Sequence, residues 1–82
     1  MQKYRFVVDV QYKSNVRDPR GEMIKRILND EYDIPVTSLR LGKSIHLEIE
    51  AENEEDAMKL INKACEKLLV NTVTETYEVR RI

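Results

Sequence analysis

The sequence is poor in the residue types on which many catalytic and cross-linked domains depend. It has no tryptophan, one histidine, one cysteine and two glycines. A single cysteine, Cys65, excludes a disulfide within the chain and fits a reducing compartment. A single histidine excludes a histidine pair acting as acid and base in one chain. Two glycines are too few for a glycine-rich phosphate-binding loop.

The charges are balanced, with 14 basic and 15 acidic residues and a net charge of −1. Nucleic-acid-binding domains usually carry a basic excess, so we expect no nucleic acid partner. No apolar run approaches the ~20 residues that span a bilayer, and the first residues do not resemble a signal peptide. We therefore expect no membrane association and a cytoplasmic location.

The length of 82 residues predicts a single domain, residues 1–82. A domain of this size buries only roughly 60–65% of the surface that its unfolded chain exposes. A deep cleft walled by one copy is therefore not expected. Small domains often gain stability by self-association, so we expect a homodimer or homotetramer.

Hydrophobic periodicity predicts the order strand, helix, strand, strand, helix, strand. The strands are predicted at residues 3–12, 36–41, 44–51 and 75–81, with a tight turn at Gly42-Lys43. The first strand alternates most regularly, with Tyr4, Phe6, Val8, Val10 and Tyr12 on one face.

The first helix is predicted to begin with Asp18 as its cap and Pro19 in its first turn, and to fade at residues 29–31. Its buried stripe is predicted to contain Met23, Ile24, Ile27 and Leu28.

The second helix is predicted to begin after Asn53 and to stop at Asn71 in a left-handed conformation. Its apolar stripe is Ala57, Leu60, Ile61, Ala64, Cys65 and Leu68.

This order of elements predicts an α+β fold of the ferredoxin-like split β-α-β type (βαββαβ), an antiparallel sheet with two helices on one face. The opposite face is predicted to mix charges: Arg5, Val7, Asp9, Val36, Ser38, Arg40, His46, Glu48, Glu50, Glu78 and Arg80. It lacks the stacking aromatics of an RNA-recognition sheet, so we expect it to meet water or another protein chain.

Three features invite a chemical interpretation, and each has a plainer one. His46, Glu48 and Glu50 share one strand face, but same-face neighbours lie about 6.5–7 Å apart, which is wide for one metal ion. Cys65 lies on an apolar helix stripe, which favours a small buried hydrophobe over a nucleophile. Gly42-Lys43 lies between predicted strands, which favours a turn over a phosphate site.

Gly21 is unusual because glycine in the first turn of a helix costs about 1 kcal/mol relative to alanine. Close approach of another backbone, such as that of a neighbouring subunit, would explain it, and so would a frayed helix end. From the residues alone, the sequence predicts no self-contained catalytic, cofactor or metal site.

Three residue groups together resemble the PurS family over almost the whole chain. They are Val16-Arg17-Asp18-Pro19-Arg20-Gly21, Leu39-Arg40-Leu41-Gly42-Lys43-Ser44-Ile45, and Cys65-Glu66-Lys67-Leu68-Leu69-Val70-Asn71 followed by Tyr77-Glu78-Val79. The chain departs from the family at Thr72, where a proline is common, and at residues 29–32, where a glycine is common.

The resemblance implies the non-catalytic small subunit of phosphoribosylformylglycinamidine synthase in purine biosynthesis. That complex uses ATP and Mg, which this chain would not bind, and its other members are a large synthetase subunit and a glutaminase subunit. The small subunit would help to assemble them and to transfer ammonia. The motif positions, carried over as candidate structural or subunit-contact residues, are Asp18, Pro19, Gly21, Arg40, Gly42, Lys43 and Asn71.

The main alternative is a ferredoxin-like regulatory domain that binds a small ligand, such as an amino acid, at a dimer interface. An RNA-binding module is disfavoured by the sequence pI of about 5.8 and by the charged open face. A stand-alone enzyme is the least favoured interpretation.

Overall fold

The computed structural model describes residues 1–82 and contains three strands and two helices. In chain order they are β1 (Gln2–Tyr12), α1 (Pro19–Tyr32), β2 (Gly42–Ala51), α2 (Glu54–Ala64) and β3 (Glu75–Arg81), with a π-helix (Cys65–Leu69) continuing α2. The predicted α+β class with an antiparallel sheet is confirmed. Neither helix has the length and apolarity that crossing a membrane requires.

The strand β1 is the centre of the sheet. The order is β2-β1-β3, both pairs are antiparallel, and Val8 lies between Ile45 and Val79. One face of β1 packs under α2 and forms a continuous core. The core residues are Tyr4, Phe6, Val8, Val10, Ala51, Ala57, Ile61, Cys65 and Val70, each at most 6% exposed.

The predicted second strand, residues 36–41, is not formed. Residues 33–41 contain no helix or strand, and Gly42 and Lys43 begin β2 instead of forming a turn. Local partners use part of the backbone of this segment: the Val36 N–H donates to the Ile34 carbonyl, and the Asn29 side chain donates to the Val36 carbonyl. A strand needs a pairing partner, and this segment has none in its own chain.

The helix α1 begins as predicted but does not bury its apolar stripe. Asp18 caps it, and it ends before Asp33, the one non-glycine residue with positive φ. Only Gly21 is buried in this helix, and Met23 is 48% exposed. The expectation of a buried stripe is therefore wrong for the single chain, because α1 contributes no residue to the core.

The end of the second helix differs from the prediction because its hydrogen-bond spacing widens from four residues to five. The Val70 N–H bonds to the Cys65 carbonyl, a π-type spacing of five residues. This turns Leu68 outward, where it is 85% exposed, and brings Val70 into the core at 6% exposure. Val70 is extended, so the predicted left-handed stop at Asn71 does not occur.

The open sheet face carries the predicted mixed charges, without the residues assigned to the missing strand. Asp9 on β1 binds Arg80 on β3 at 2.9 Å. Val7 is nevertheless only 3% exposed, because His46 and Arg80 flank it on the two neighbouring strands. Val36, Ser38 and Arg40 lie outside the sheet.

Candidate functional site

The predicted motif positions lie at one end of the sheet, where β1 ends and β2 begins. Three connections meet there: the loop 13–18, the segment 33–41 and the turn 70–74. We call this region the junction, and it consists of Asp18, Pro19, Gly21, Arg40, Gly42, Lys43, Asn71 and Glu75.

Asp18 joins the start of α1 to the start of β2. Its Oδ1 accepts the Gly21 N–H at 3.1 Å, and its Oδ2 accepts the Leu41 N–H at 2.7 Å. These two hydrogen bonds lower the pKa of Asp18, and the bond from Leu41 has the larger effect. The nearby cations Arg40 and Arg20 lower this pKa further. The carboxylate therefore stays ionised and serves as a structural acceptor.

Gly21 and Gly42 are required by close approaches within the same chain. A Cβ on Gly21 would overlap the Asp18 carboxylate and lie 3.3 Å from the Leu39 carbonyl oxygen. A Cβ on Gly42 would lie 2.5 Å from the Val10 carbonyl oxygen. The unusual glycine in the first turn of α1 is thus explained by its own chain, without a neighbouring subunit.

Arg40 holds the loop that follows β1. Its Nη2 donates to the carbonyl oxygens of Lys13, at 2.9 Å, and Val16, at 2.7 Å. Both acceptors are backbone atoms, so the guanidinium fixes the path of the loop into α1. This places Arg40 among the structural members of the junction.

Lys43 and Asn71 are linked through Glu75, which the sequence did not single out. The Lys43 Nζ lies 3.9 Å from Glu75 Oε2, and Glu75 Oε1 accepts the Asn71 N–H at 2.8 Å. The Asn71 side chain in turn accepts the Val73 N–H at 3.1 Å. The only signal for Glu75 is its position four residues after Asn71, at the first residue of a strand.

The junction surrounds an open depression, and most of the residues that line it are polar or charged. The lining residues are Val10, Gln11, Tyr12, Arg17, Asp18, Pro19, Arg20, Leu41, Gly42, Lys43 and Glu75. Both acidic residues of this lining already have partners within the chain. Asp18 accepts hydrogen bonds from two backbone N–H groups, and Glu75 accepts one from Asn71 and pairs with Lys43. Such a surface suits contact with another protein.

The other candidate residues lie away from the junction. Cys65 is fully buried, as the small-hydrophobe interpretation predicted, and burial raises the pKa of its thiol, with a smaller effect from Glu66. His46, Glu48 and Glu50 share the open sheet face, and no three potential metal-binding side chains come together anywhere in the chain.

We expect Asp18 to stabilise the folded chain at neutral pH and to lose this effect in acid. Its folded-state pKa is depressed, so its contribution is complete above its unfolded pKa of about 3.9 and is lost as the pH falls through the folded value. Asp18→Asn keeps the shape but turns an amide donor toward one backbone N–H. We expect the mutant to have a lower urea midpoint at pH 7 and the difference from wild type to shrink at pH 3. An unchanged difference at pH 3 would contradict this role.

Comparison with known proteins gives one consistent family. The family model described as PurS, phosphoribosylformylglycinamidine (FGAM) synthase, matches residues 5–82. The chain is 62% identical over 82 residues to phosphoribosylformylglycinamidine synthase subunit PurS of Thermotoga maritima, covering 100% of both chains.

Solved structures agree with this match. A chain in the structure of PurLQS from Thermotoga maritima superposes with a TM-score of 0.96 at 62% identity, with 100% of both chains covered. PurS of Methanocaldococcus jannaschii, one of the subunits of formylglycinamide ribonucleotide amidotransferase in the purine biosynthetic pathway, superposes with a TM-score of 0.83. That match is 33% identical and covers 96% of this chain and 95% of the other. The chain therefore belongs to the PurS family of phosphoribosylformylglycinamidine synthase subunits.

Proposed function

We propose that this chain is the non-catalytic small subunit of a phosphoribosylformylglycinamidine synthase complex in de novo purine biosynthesis. Its role is to assemble a large synthetase subunit with a glutaminase subunit and to support ammonia transfer between them. The observation that carries the proposal is the full-length superposition on a chain of PurLQS from Thermotoga maritima, with a TM-score of 0.96.

The proposed complex converts formylglycinamide ribonucleotide, glutamine and ATP into formylglycinamidine ribonucleotide, glutamate, ADP and phosphate. ATP and Mg belong to the synthetase subunit, and this chain supplies no catalytic side chain. Its location is the cytoplasm, and it self-associates as a homodimer or homotetramer.

A separate assembly subunit has a clear physical use in this reaction. Ammonia that escapes into water is protonated and loses the lone pair that attacks the activated substrate. Holding the glutaminase against the synthetase keeps ammonia away from bulk solvent. The junction is suited to such contacts because its backbone is fixed by Asp18 and Arg40, while Arg20 and Lys43 reach the surface.

The alternative, a ligand-binding regulatory domain, has less support from the structure. Small-molecule sites are usually concave and walled mostly by apolar side chains. The depression at the junction has three hydrophobic residues among its 11 lining residues and is open to solvent.

Lys43→Glu tests the junction as a partner-contact surface. The ion pair between Lys43 and Glu75 is exposed on the lysine side and contributes about 0–1 kcal/mol, so the isolated fold should remain intact. We expect the mutant to lose co-elution with the synthetase and glutaminase subunits in size-exclusion chromatography, because a cationic contact becomes anionic.

Lys59→Glu is the matched control. Lys59 also lies 3.9 Å from a glutamate, Glu55, but on the exposed side of α2. We expect Lys59→Glu to co-elute with the partner subunits as wild type does. Unchanged co-elution of Lys43→Glu, or equal loss in both variants, would remove the junction from the proposed contact surface.

A further inference from the structure

Two of the most exposed apolar side chains in the molecule lie at the end of the sheet that carries the junction. Leu68, in the π-helix, is 85% exposed, and Val73, in the turn 70–74, is 79% exposed. Among the large apolar residues, only Met1 is comparably exposed. Apolar surface in water is unfavourable, so two such side chains at one end of the molecule are a feature that its own core does not explain.

The π-helix creates the exposure of Leu68. This residue follows Ile61 and Ala64 at helical spacing, so a continued α-helix would keep it on the buried stripe. The five-residue bond from Val70 to Cys65 instead brings Val70 into the core and turns Leu68 outward. Single π-helical turns of this kind occur frequently at functional sites. The local distortion thus presents a leucine to solvent at the end of α2.

The turn 70–74 connects these apolar side chains to the depression at the junction. The Lys13 N–H donates to the carbonyl of Thr74, which follows Val73, at 2.9 Å. Tyr12, which precedes Lys13, is 41% exposed and lines the depression together with Arg20. Apolar and cationic side chains therefore share this end of the sheet. We call the region the end surface, and it consists of Tyr12, Lys13, Arg20, Leu68 and Val73.

This end of the sheet is positively charged, although the whole chain carries a net charge of −1. The segments 13–22, 39–43 and 71–75 contain five cations and three carboxylates: Lys13, Arg17, Arg20, Arg40, Lys43, Asp18, Glu22 and Glu75. Each of the three carboxylates is already bonded within the chain. Lys13 and Arg20, by contrast, are exposed and form no ion pair. Their charges are available to an anionic partner.

We propose that the end surface binds an acidic segment of a partner subunit of the complex. Apolar side chains of that segment cover Leu68 and Val73, and its carboxylates pair with Lys13 and Arg20. An acidic polypeptide is the occupant because it supplies both the apolar contacts and the negative charge that this surface lacks. A small free anion would satisfy the cations and leave Leu68 in water. The proposal rests on the proposed function and deepens it by naming the chemistry of the partner's contact segment.

Zero-length carbodiimide cross-linking tests the contact in the unmodified complex. The reagent joins a lysine amine to a carboxylate only where the two are in contact, and mass spectrometry of the digested complex identifies the joined peptides. We expect Lys13 to be joined to an Asp or Glu residue of the synthetase or glutaminase subunit. The link between Lys59 and Glu55, whose Nζ and Oε1 atoms lie 3.9 Å apart, shows in the same sample that the reagent has reacted. A complex in which Lys13 forms no link to a partner subunit would overturn the proposal.

Two substitutions at Leu68 separate the apolar contact from the charge of the partner. Leu68→Asp removes the leucine and repels an acidic segment, whereas Leu68→Lys removes the leucine and attracts one. Titration of each variant into the synthetase and glutaminase subunits measures its Kd. We expect Leu68→Asp to raise the Kd about tenfold or more and Leu68→Lys to raise it less. An unchanged Kd for Leu68→Asp, or an effect of Leu68→Lys at least as large, would contradict the proposal.

Ile82→Asp is the matched control. It places the same charge on an apolar residue that is 57% exposed and lies just beyond the opposite end of β3. We expect Ile82→Asp to bind the partner subunits as wild type does, and a loss equal to that of Leu68→Asp would contradict the proposal. The mass of Leu68→Asp alone, by light scattering, should equal that of wild type. A changed mass would assign the end surface to contact between copies of the chain and overturn the proposal.

The same experiments distinguish the end surface from the proposed function. Failure of the wild-type chain to assemble with the two subunits would contradict the proposed function and the end surface together. A complex that assembles without the Lys13 link would contradict the end surface alone.

Discussion

Gly21→Ala is expected to destabilise the protein by about 1–3 kcal/mol, the usual cost of forcing an extra methyl group into a filled space. At an ordinary position in a helix the same change would stabilise by about 1 kcal/mol. The sign reverses because the added Cβ would overlap the Asp18 side chain and press on the Leu39 carbonyl oxygen. Urea unfolding at one fixed protein concentration measures the difference, since stability depends on concentration if the chain self-associates.

A double-mutant cycle identifies the cause of this effect. In an Asp18→Ala background the overlapping carboxylate is absent, and only the contact with Leu39 at 3.3 Å remains. Gly21→Ala should then be close to neutral, and the two mutations should be strongly non-additive. Stabilisation of the wild-type background by Gly21→Ala, or additivity of the two changes, would contradict the close approach seen at the junction.

The elements that the sequence predicted well are those specified by local interactions. The alternation of β1 and the caps at Asp18 and Asn53 depend on nearby residues, and the structure contains each of them. Asn53 accepts the Asp56 N–H at 2.8 Å, as a cap should. β3 was likewise predicted at its observed bounds, Glu75–Arg81.

The features that the sequence did not predict depend on contacts between elements. Segment 36–41 has an extended pattern, but a strand forms only where another strand offers hydrogen bonds, and none does so in this chain. The stripe of α1 has helical periodicity, which indicates that one face of the helix is apolar. The periodicity does not indicate which surface covers that face. Leu68 was assigned to the buried stripe because periodicity assumes α-helical spacing, which the π-helix at Cys65–Leu69 breaks.

The junction was only partly predictable. The sequence motifs indicated Asp18, Gly21, Arg40 and Lys43 through family resemblance, and the structure brings them to one end of the sheet. Their spacing alone did not reveal that Asp18 would accept the Leu41 N–H, 23 residues along the chain. Long-range bonds of this kind follow from the tertiary structure.

Removal of the chain is expected to abolish synthesis from glutamine and to leave synthesis from ammonia intact. If the chain assembles the glutaminase with the synthetase, its removal separates ammonia production from ammonia use, while the synthetase active site stays intact. Glutamine-dependent synthesis should then fall to the level seen without glutaminase. Synthesis from added ammonia should continue, because free ammonia at high concentration reaches the synthetase without a channel.

The role in assembly and ammonia transfer is tested by a reconstitution with the synthetase and glutaminase subunits of the same organism. Formylglycinamidine ribonucleotide is measured with and without this chain, with either glutamine or ammonium salt as the nitrogen donor. We expect glutamine-dependent synthesis to require the chain and ammonia-dependent synthesis to proceed without it. Equal glutamine-dependent rates with and without the chain would contradict it.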